Sequence, residues 1–280
     1  MKNGFFKGHG LGNDYIAVDP KELDFKLTPG NIRKVCDRNW GVGSDGILAL
    51  EKSKEADFGL RIYNPDGSEA EKSGNGLRIF ARYLHATRQV RKKNFTVDTK
   101  GGLVSIALKV DGHGQASAAT VEMGKATFVP KALPCTLKAK ELVEQTIKVG
   151  GKKYKFTGVS VGNPHCIIFK DKGEKWTREE LLALGPELEN HQLFPRRINV
   201  QLAVPVGPQS IYILIWERSA HFFPNRPPAA PAAAQLGELK ACGSGAGHSA
   251  LTYIHTYTHK YIQEVVLGKV NQLVQQSVWE

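Results

Sequence analysis

The strongest constraint on the fold of this chain is an echo between its two halves. Gly10-Leu11-Gly12-Asn13-Asp14 runs into an apolar strand, and Val161-Gly162-Asn163-Pro164-His165 runs into another. Each half then ends in a loop of small residues, Ser73-Gly74-Asn75-Gly76 in the first and Cys242-Gly243-Ser244-Gly245 in the second. The stretch from Asn163 to Cys242 is longer than that from Asn13 to Ser73. Glu217 likewise stands further from Cys242 than Asn64 does from Ser73. The Pro/Ala-rich segment 222–234 has the composition of an exposed loop. Counting it as an insertion repairs both offsets at once, which points to a duplicated, pseudo-twofold chain. The expected domains are 1–122 and 123–280, the second carrying the insertion at 222–234 and a divergent tail at 249–280. The two small-residue loops are expected to face each other across the cleft between them.

Short apolar runs separated by Gly, Asp and Asn predict strands at 15–18, 46–50, 58–63, 95–97 and 103–108. The second half repeats the style at 119–123, 145–149, 155–161, 166–169, 200–204 and 210–216. Leu77, Phe80, Ala81 and Leu84 fall at helical spacing, so 77–86 is an expected amphipathic helix opened by the Ser73 loop. A second helix is expected from Trp176 to Leu184, with Thr177 as its N-cap and Glu179-Glu180 in its first turn. The Thr-, Tyr- and His-rich stretch 251–263 is read as helix, although those residues are indifferent helix formers. Many strands with a helix or two per half is an α+β pattern, not the alternation of a nucleotide-binding βαβ chain.

The hydrophobic fraction of 41% and charged fraction of 23% are those of a globular protein. No apolar run reaches bilayer length, and the first residues lack the apolar core of a secretory signal, so the expected address is the cytosol. The four cysteines, Cys36, Cys135, Cys166 and Cys242, are scattered without CxxC spacing. That excludes a zinc knuckle or disulfide framework and fits reduced thiols. Cys36, Cys135 and Cys166 read as ordinary small residues. Cys135, beside Pro134 in an expected surface stretch, should ionise near the ordinary value of about 8.5. The net charge of +11 comes from dispersed basic residues, and the clusters at 88–93 and 148–155 are not interleaved with aromatics. Attraction to anionic small molecules accounts for it better than nucleic acid does.

A small-Gly-X-Gly loop at a helix start exposes backbone N–H groups where the helix dipole favours an anion. Two such loops can grip a carboxylate and stabilise the charge that builds as a proton leaves the adjacent carbon. One such loop alone reads as a ligand-free turn; a matched pair with a cysteine in one points to function. A cysteine at a helix N-terminus has a depressed pKa, so Cys242 is the candidate base towards an acidic C–H. Asn13, Asn64, Asn163, Asn199 and the Glu217-Arg218 pair are suited to holding the other groups of an amino acid. Singly, each Asn reads as a turn residue and the Glu-Arg pair as surface charge. Their shared symmetry is what raises them. No lysine sits in a Schiff-base motif and no metal-ligand spacing is present, so neither pyridoxal phosphate nor a metal is expected.

GHGLGNDY (Gly8 to Tyr15), NPDGSEAEKSGNGLR (Asn64 to Arg78), GNPH (Gly162 to His165), RINV (Arg197 to Val200), WER (Trp216 to Arg218) and ACGSGA (Ala241 to Ala246) occur here in order. In these motifs the chain resembles the diaminopimelate epimerase family. The resemblance implies a two-domain α+β fold, each half a mostly antiparallel curved sheet around a central helix, with the active site in the cleft. It implies cofactor-independent epimerisation of LL-diaminopimelate to meso-diaminopimelate, a step of lysine and peptidoglycan-precursor biosynthesis. In the family, two cysteines flank the α-carbon; one removes the proton as thiolate while the other donates from the opposite face. Cys242 matches one, and Ser73 stands in the place of the other. Asn13, Asn64, Gly74, Asn75, Asn163, Asn199, Glu217, Arg218, Gly243 and Ser244 match the family's substrate-binding positions. The implied partner is a small amino acid, with a homodimer compatible and neither nucleic acid nor membrane expected.

Three departures accompany the resemblance. Ser73 replaces a catalytic cysteine, and an aliphatic hydroxyl is a poor base near neutral pH. The Pro/Ala stretch separates Glu217 from Cys242, and the tail lacks the glycine-flanked strand pair expected to close the fold. Three readings stay open on the sequence: a diaminopimelate epimerase slowed by Ser73, a member with a changed reaction, or an amino-acid-binding relic. The changed reaction would be a one-base dehydratase or racemisation of another amino acid.

Overall fold

The computed structural model describes residues 2–10, 13–207 and 210–216, and the backbone of 275–278. These residues fall into two compact units that meet at Gly124 and Lys125.

The first unit runs β1 (Phe6–Gly10), β2 (Asn13–Val18), α1 (Pro29–Cys36), β3 (Ile47–Glu51), β4 (Phe58–Tyr63), β5 (Glu69–Ala70), α2 (Gly74–Ala86), β6 (Asn94–Thr99), β7 (Gly102–Val110) and β8 (Ala116–Glu122). Its sheet has the order β1-β2-β3-β4-β6-β7-β8, with β5 paired to β4. The β2/β3 and β4/β6 pairs are parallel and the others antiparallel. Helix α2 packs on β1 and β2 near one end of this order and on β8 near the other. A sheet can touch one helix from both ends only by curling around it. The sequence of α2 fits that enclosure: Leu77, Ile79, Phe80, Ala81, Tyr83 and Leu84 are all buried, more than a single apolar stripe.

Strand pleat sorts the remaining side chains. In β7, Val104, Ile106 and Leu108 alternate with exposed residues, the period-two signature of a one-sided strand. In β2, Ile16 and Val18 join Ile32 and Cys36 of α1 and Ile47 and Ala49 of β3 in a second core. Tyr15 therefore points to the opposite face of β2.

The second unit runs β9 (Gln145–Val149), β10 (Lys152–Ser160), β11 (Pro164–Phe169), α3 (Arg178–Glu189), β12 (Asn199–Gly207) and β13 (Ser210–Trp216). Its sheet has the order β13-β12-β11-β10-β9, parallel only between β11 and β12. The core gathers Phe156, Phe194, Leu188, Ile198 and Trp176, with the Phe156 and Phe194 rings edge to face at 5.8 Å. Here the duplication is visible as topology. An antiparallel hairpin, a helical crossover to a parallel strand, and an antiparallel return form β1-β2-α1-β3-β4. The same order recurs as β10-β11-α3-β12-β13. Asn13 opens β2, and Asn163 stands immediately before β11.

Every expected strand is present, most extended by a residue or more at one end. Helix α2 begins at Gly74 rather than Leu77, and α3 continues past Leu184 through Gly185-Pro186 to Glu189. Trp176 lies outside α3 and pins its start, donating from Nε1 to the Ala203 carbonyl at 3.2 Å. The expected helix at 251–263, and the helix expected to follow Cys242, lie outside the described residues. Further along, β14 (Gln275–Val278) pairs antiparallel with β8 and so extends the first unit's sheet. Among the described residues, no helix is long and apolar enough to cross a membrane.

Candidate active site

Ser73 is the N-cap of α2. It has extended φ and ψ of −139° and 119°, and its Oγ accepts from Gly76 N at 3.1 Å. The Ser73 carbonyl takes the next helical amide, Leu77 N, at 2.9 Å. The helix offers no acceptor to the N–H groups of Gly74 and Asn75, which leaves two donors at the positive end of the dipole. Gly76 is closely packed, because a Cβ there would lie 3.0 Å from Leu48 Cδ2 and 3.2 Å from Ser73 Oγ, so a side chain would have to push these neighbours aside. From the facing strand, the buried Tyr15 hydroxyl donates to Ser73 Oγ at 3.3 Å.

Beside this loop the Asn13 and Asn75 side chains meet. Asn75 Nδ2 donates to Asn13 Oδ1 at 3.4 Å, and Arg78 Nη1 donates to Asn75 Oδ1 at 3.3 Å. Both Asn75 and Arg78 are buried. Gly10 makes room for them, since a Cβ at that position would come within 3.2 Å of the Asn75 amide. Asn13 Nδ2 donates in turn to Asp45 Oδ2 at 3.1 Å. Arg38 closes the network by bridging Asp14 at 2.6 Å and Asp45 at 2.8 Å, while Lys7 lies 3.2 Å from Asp14. Burial works against the Asp14 charge, but Arg38 and Lys7 together outweigh it and hold the carboxyl below its usual range.

Asn64 is placed separately, at the head of a tight turn. Its Nδ2 donates to Ser68 Oγ at 3.0 Å, and Gly67 N donates to its carbonyl at 2.9 Å. Gly67 has φ +87°, and a Cβ on it would collide with Pro29 at 2.6 Å, so only glycine fits that turn. In the second unit the register of β11 on β12 sets His165 opposite Asn199. Asn199, itself buried, donates from Nδ2 to Asn163 Oδ1 and to the Pro164 carbonyl, both at 3.0 Å. The pairing mirrors Asn13 with Asp45 in the first unit. At the end of β13, Trp216 Nε1 donates to Glu189 Oε2 at 2.8 Å, fixing the strand just before Glu217.

The structure thus gathers Ser73, Gly74, Asn75 and Asn13 in one place and Asn163 with Asn199 in another. Glu217, Arg218, Cys242, Gly243 and Ser244 lie outside the described residues. Sequence reasoning missed Tyr15, Asp45, Arg38 and Arg78. Alternation along β2 sets Tyr15 on the same face as Asn13, and that signal could have found it. Lys72, beside Ser73, was also missed. It is buried, donates to the Met123 carbonyl at 3.4 Å, and has its pKa pulled down by burial. One thiol expectation needs correction. Cys135 is not a free surface thiol: it packs against the second core, and burial pushes its pKa up. Burial raises Cys36 too, with Asp14 and Asp45 adding to it after the Ser44 hydrogen bond is set against it. Cys166 is wholly enclosed and is raised furthest by the same desolvation.

The diaminopimelate epimerase family model matches residues 5–129. A diaminopimelate epimerase 2 from Nostoc sp. is 42% identical over 242 residues, covering 86% of this chain and 82% of that protein. A diaminopimelate epimerase from Leptospira biflexa is 36% identical over 247 residues, covering 88% and 81%. Among solved structures, a hydroxyproline epimerase from Agrobacterium vitis with bound trans-4-OH-L-proline superposes with a TM-score of 0.54. It is 12% identical, over 76% of this chain and 69% of that one, a likeness of fold. With relatives of that identity spanning most of both chains, and the Ser73 loop capping a sheet-wrapped helix, the chain belongs to the diaminopimelate epimerase family.

Proposed function

We propose that this chain inverts diaminopimelate at its α-carbon by proton removal and return, without pyridoxal phosphate or a metal. The observation that carries the reading is the Ser73-to-Gly76 loop. It is held as the capped start of α2, with the Gly74 and Asn75 amides unclaimed by the helix and the Asn75 side chain locked between Asn13 and Arg78. Amides at a helix start suit a carboxylate and the charge that develops beside it. The substrate is the one named for the relatives above. Cys242 is the thiolate base and Ser73 the hydroxyl on the opposite face. Asn13, Asn64, Asn163, Asn199, Glu217, Arg218, Gly243 and Ser244 hold the remainder of the amino acid, supplied by both halves of the chain. A cytoplasmic homodimer serving lysine biosynthesis completes the reading. The scattered cysteines suit a reducing compartment, and the exposed Trp40 and Val42 offer apolar surface to a second copy.

Incubating each diaminopimelate stereoisomer with the protein in deuterated water tests this directly. Inversion with deuterium at the inverted carbon is the expected result. Label on one isomer without inversion would make the protein a one-base catalyst, and binding without label would leave it a binding protein; either sinks the epimerase.

A further inference from the structure

We propose that Tyr15 is the positioning residue that lets Ser73 act as a proton donor where a thiol would otherwise stand. The proposal rests on the epimerase reading and adds to it the group that works behind Ser73.

The argument begins with the valence of a hydroxyl: one proton to give and two lone pairs to receive. Ser73 Oγ receives one hydrogen bond from Gly76 N at 3.1 Å and a second from Tyr15 Oη at 3.3 Å. With both lone pairs engaged, the Ser73 proton is turned outward, away from the cap and away from Tyr15. The same engagement removes the lone pair that a base would need. Ser73 is only half-buried, whereas Tyr15 is 7% exposed, so the hydroxyl that faces outward is the serine's. Gly46 leaves the room that the Tyr15 ring occupies. A Cβ there would lie 2.8 Å from the ring's Cε1 and collide with the Tyr63 carbonyl, so the ring fills the space a side chain would take.

The second part is proton supply. A lone serine that gave its proton to a carbanion would be left as an alkoxide, which is far costlier to form near neutral pH than a thiolate. A phenol, with an ordinary pKa of about 10, releases its proton much more readily than an aliphatic alcohol. The step then balances as follows. The new Cα–H bond forms with the electron pair of the carbanion as the Ser73 O–H bond breaks. The Tyr15 O–H bond breaks as its proton moves to Ser73 Oγ, restoring the serine hydroxyl and leaving a phenolate. Water returns a proton to the phenolate between turnovers, and the thiol formed at Cys242 returns its own to water. In the reverse direction the phenolate draws the proton back along the same pair.

A double-variant cycle tests this. Tyr15→Phe keeps the ring and removes only the hydroxyl, and it is made both in the parent and in the Ser73→Cys background, with kcat and KM measured for diaminopimelate epimerisation. In the parent background we expect kcat to fall at least tenfold with KM changed less than twofold. In the Ser73→Cys background, where the sulfur releases its own proton, the same substitution should cost less than twofold. Equal slowing in both backgrounds would make Tyr15 a packing residue and overturn the proposal, as would no slowing in the parent. A folded parent with no epimerisation at all would overturn the epimerase reading, and this proposal with it; the parent's own rate therefore separates the two failures.

Discussion

Ser73 serves the fold before it serves any reaction, because its Oγ satisfies an amide that the first turn of α2 would otherwise leave bare. A hydroxyl caps better than a thiol, so serine at this position holds the loop intact. That double duty sets the first prediction. Ser73→Cys should raise epimerisation at least tenfold, about 1.4 kcal/mol of barrier, and should lower thermal stability through the weaker cap. A folded variant no faster than the parent would mean the missing thiol does not limit the rate. Cys242 yields the second. Burial raises Cys36, Cys135 and Cys166, so none of them is a ready thiolate at neutral pH. Cys242 has a glycine-rich sequence around it, and bare backbone amides beside a thiol would favour the thiolate. Limiting iodoacetamide near pH 7 should therefore modify Cys242 first, and diaminopimelate should protect it. Peptide mapping that finds Cys135 labelled equally, with no protection, would refute this. At this scale the asparagines were legible because their types and symmetry were in the sequence. Asp45, Arg38 and Arg78 were not, since a charged residue in a loop or on a helix announces no partner until the fold brings one.

The elements divide by how far local pattern and tertiary burial agree. Strands such as 58–63, 145–149 and 210–216 were legible to the residue, because turn residues bound these β-branched and aromatic runs at one end: Asn64, Gly150 and Gly207-Pro208. β1 was missed: Phe6-Lys7-Gly8-His9-Gly10 has two glycines and low strand propensity, and only pairing with β2 holds it extended. α1 was missed because Pro29-Gly30 reads as a turn and only Ile32 and Cys36, one helical turn apart, are buried; yet Thr28 and Pro29 are a start signal in plain view. α3 was legible at its start for the reason that makes it testable. Thr177 Oγ1 accepts from Glu180 N at 3.2 Å, and the Glu180 carboxylate accepts from Thr177 N at 2.8 Å, a reciprocal capping box. Thr177→Ala should cost about 1 kcal/mol in chemical denaturation, with catalysis unchanged. A loss under about 0.3 kcal/mol would mean that Trp176, bonded to β12, fixes the helix without the cap.

For the whole molecule, the duplication was readable because it left marks in order: a Gly-Asn turn, an apolar strand, a small-residue loop. The pairings that turn those marks into two sheets were not, since the sequence does not state register or which strands run parallel. One consequence at this scale joins fold to pH. The Asp14, Asp45 and Arg38 cluster ties β2 to the loop leading from α1 into β3, and that loop sets the depth of Asn13 through Asp45. Burial alone would raise the Asp14 pKa, and Arg38 and Lys7 reverse the sign. A carboxyl held below its unfolded value contributes stability that is fully present above about pH 4 and is lost as pH falls through the folded value. Arg38→Gln removes the stronger of the two interactions that oppose burial, so burial gains on what remains. The variant should melt lower than the parent from pH 6 to 8, where Asp14 is charged in both. As pH drops below about 4 the parent loses the contribution that the variant already lacks, and the two melting temperatures should converge. Thermal melts of both proteins across pH 3 to 8 decide the matter. A gap that stays constant down to pH 3 would mean that Arg38 stabilises the first unit through packing and its neutral hydrogen bonds, not through the charge of Asp14.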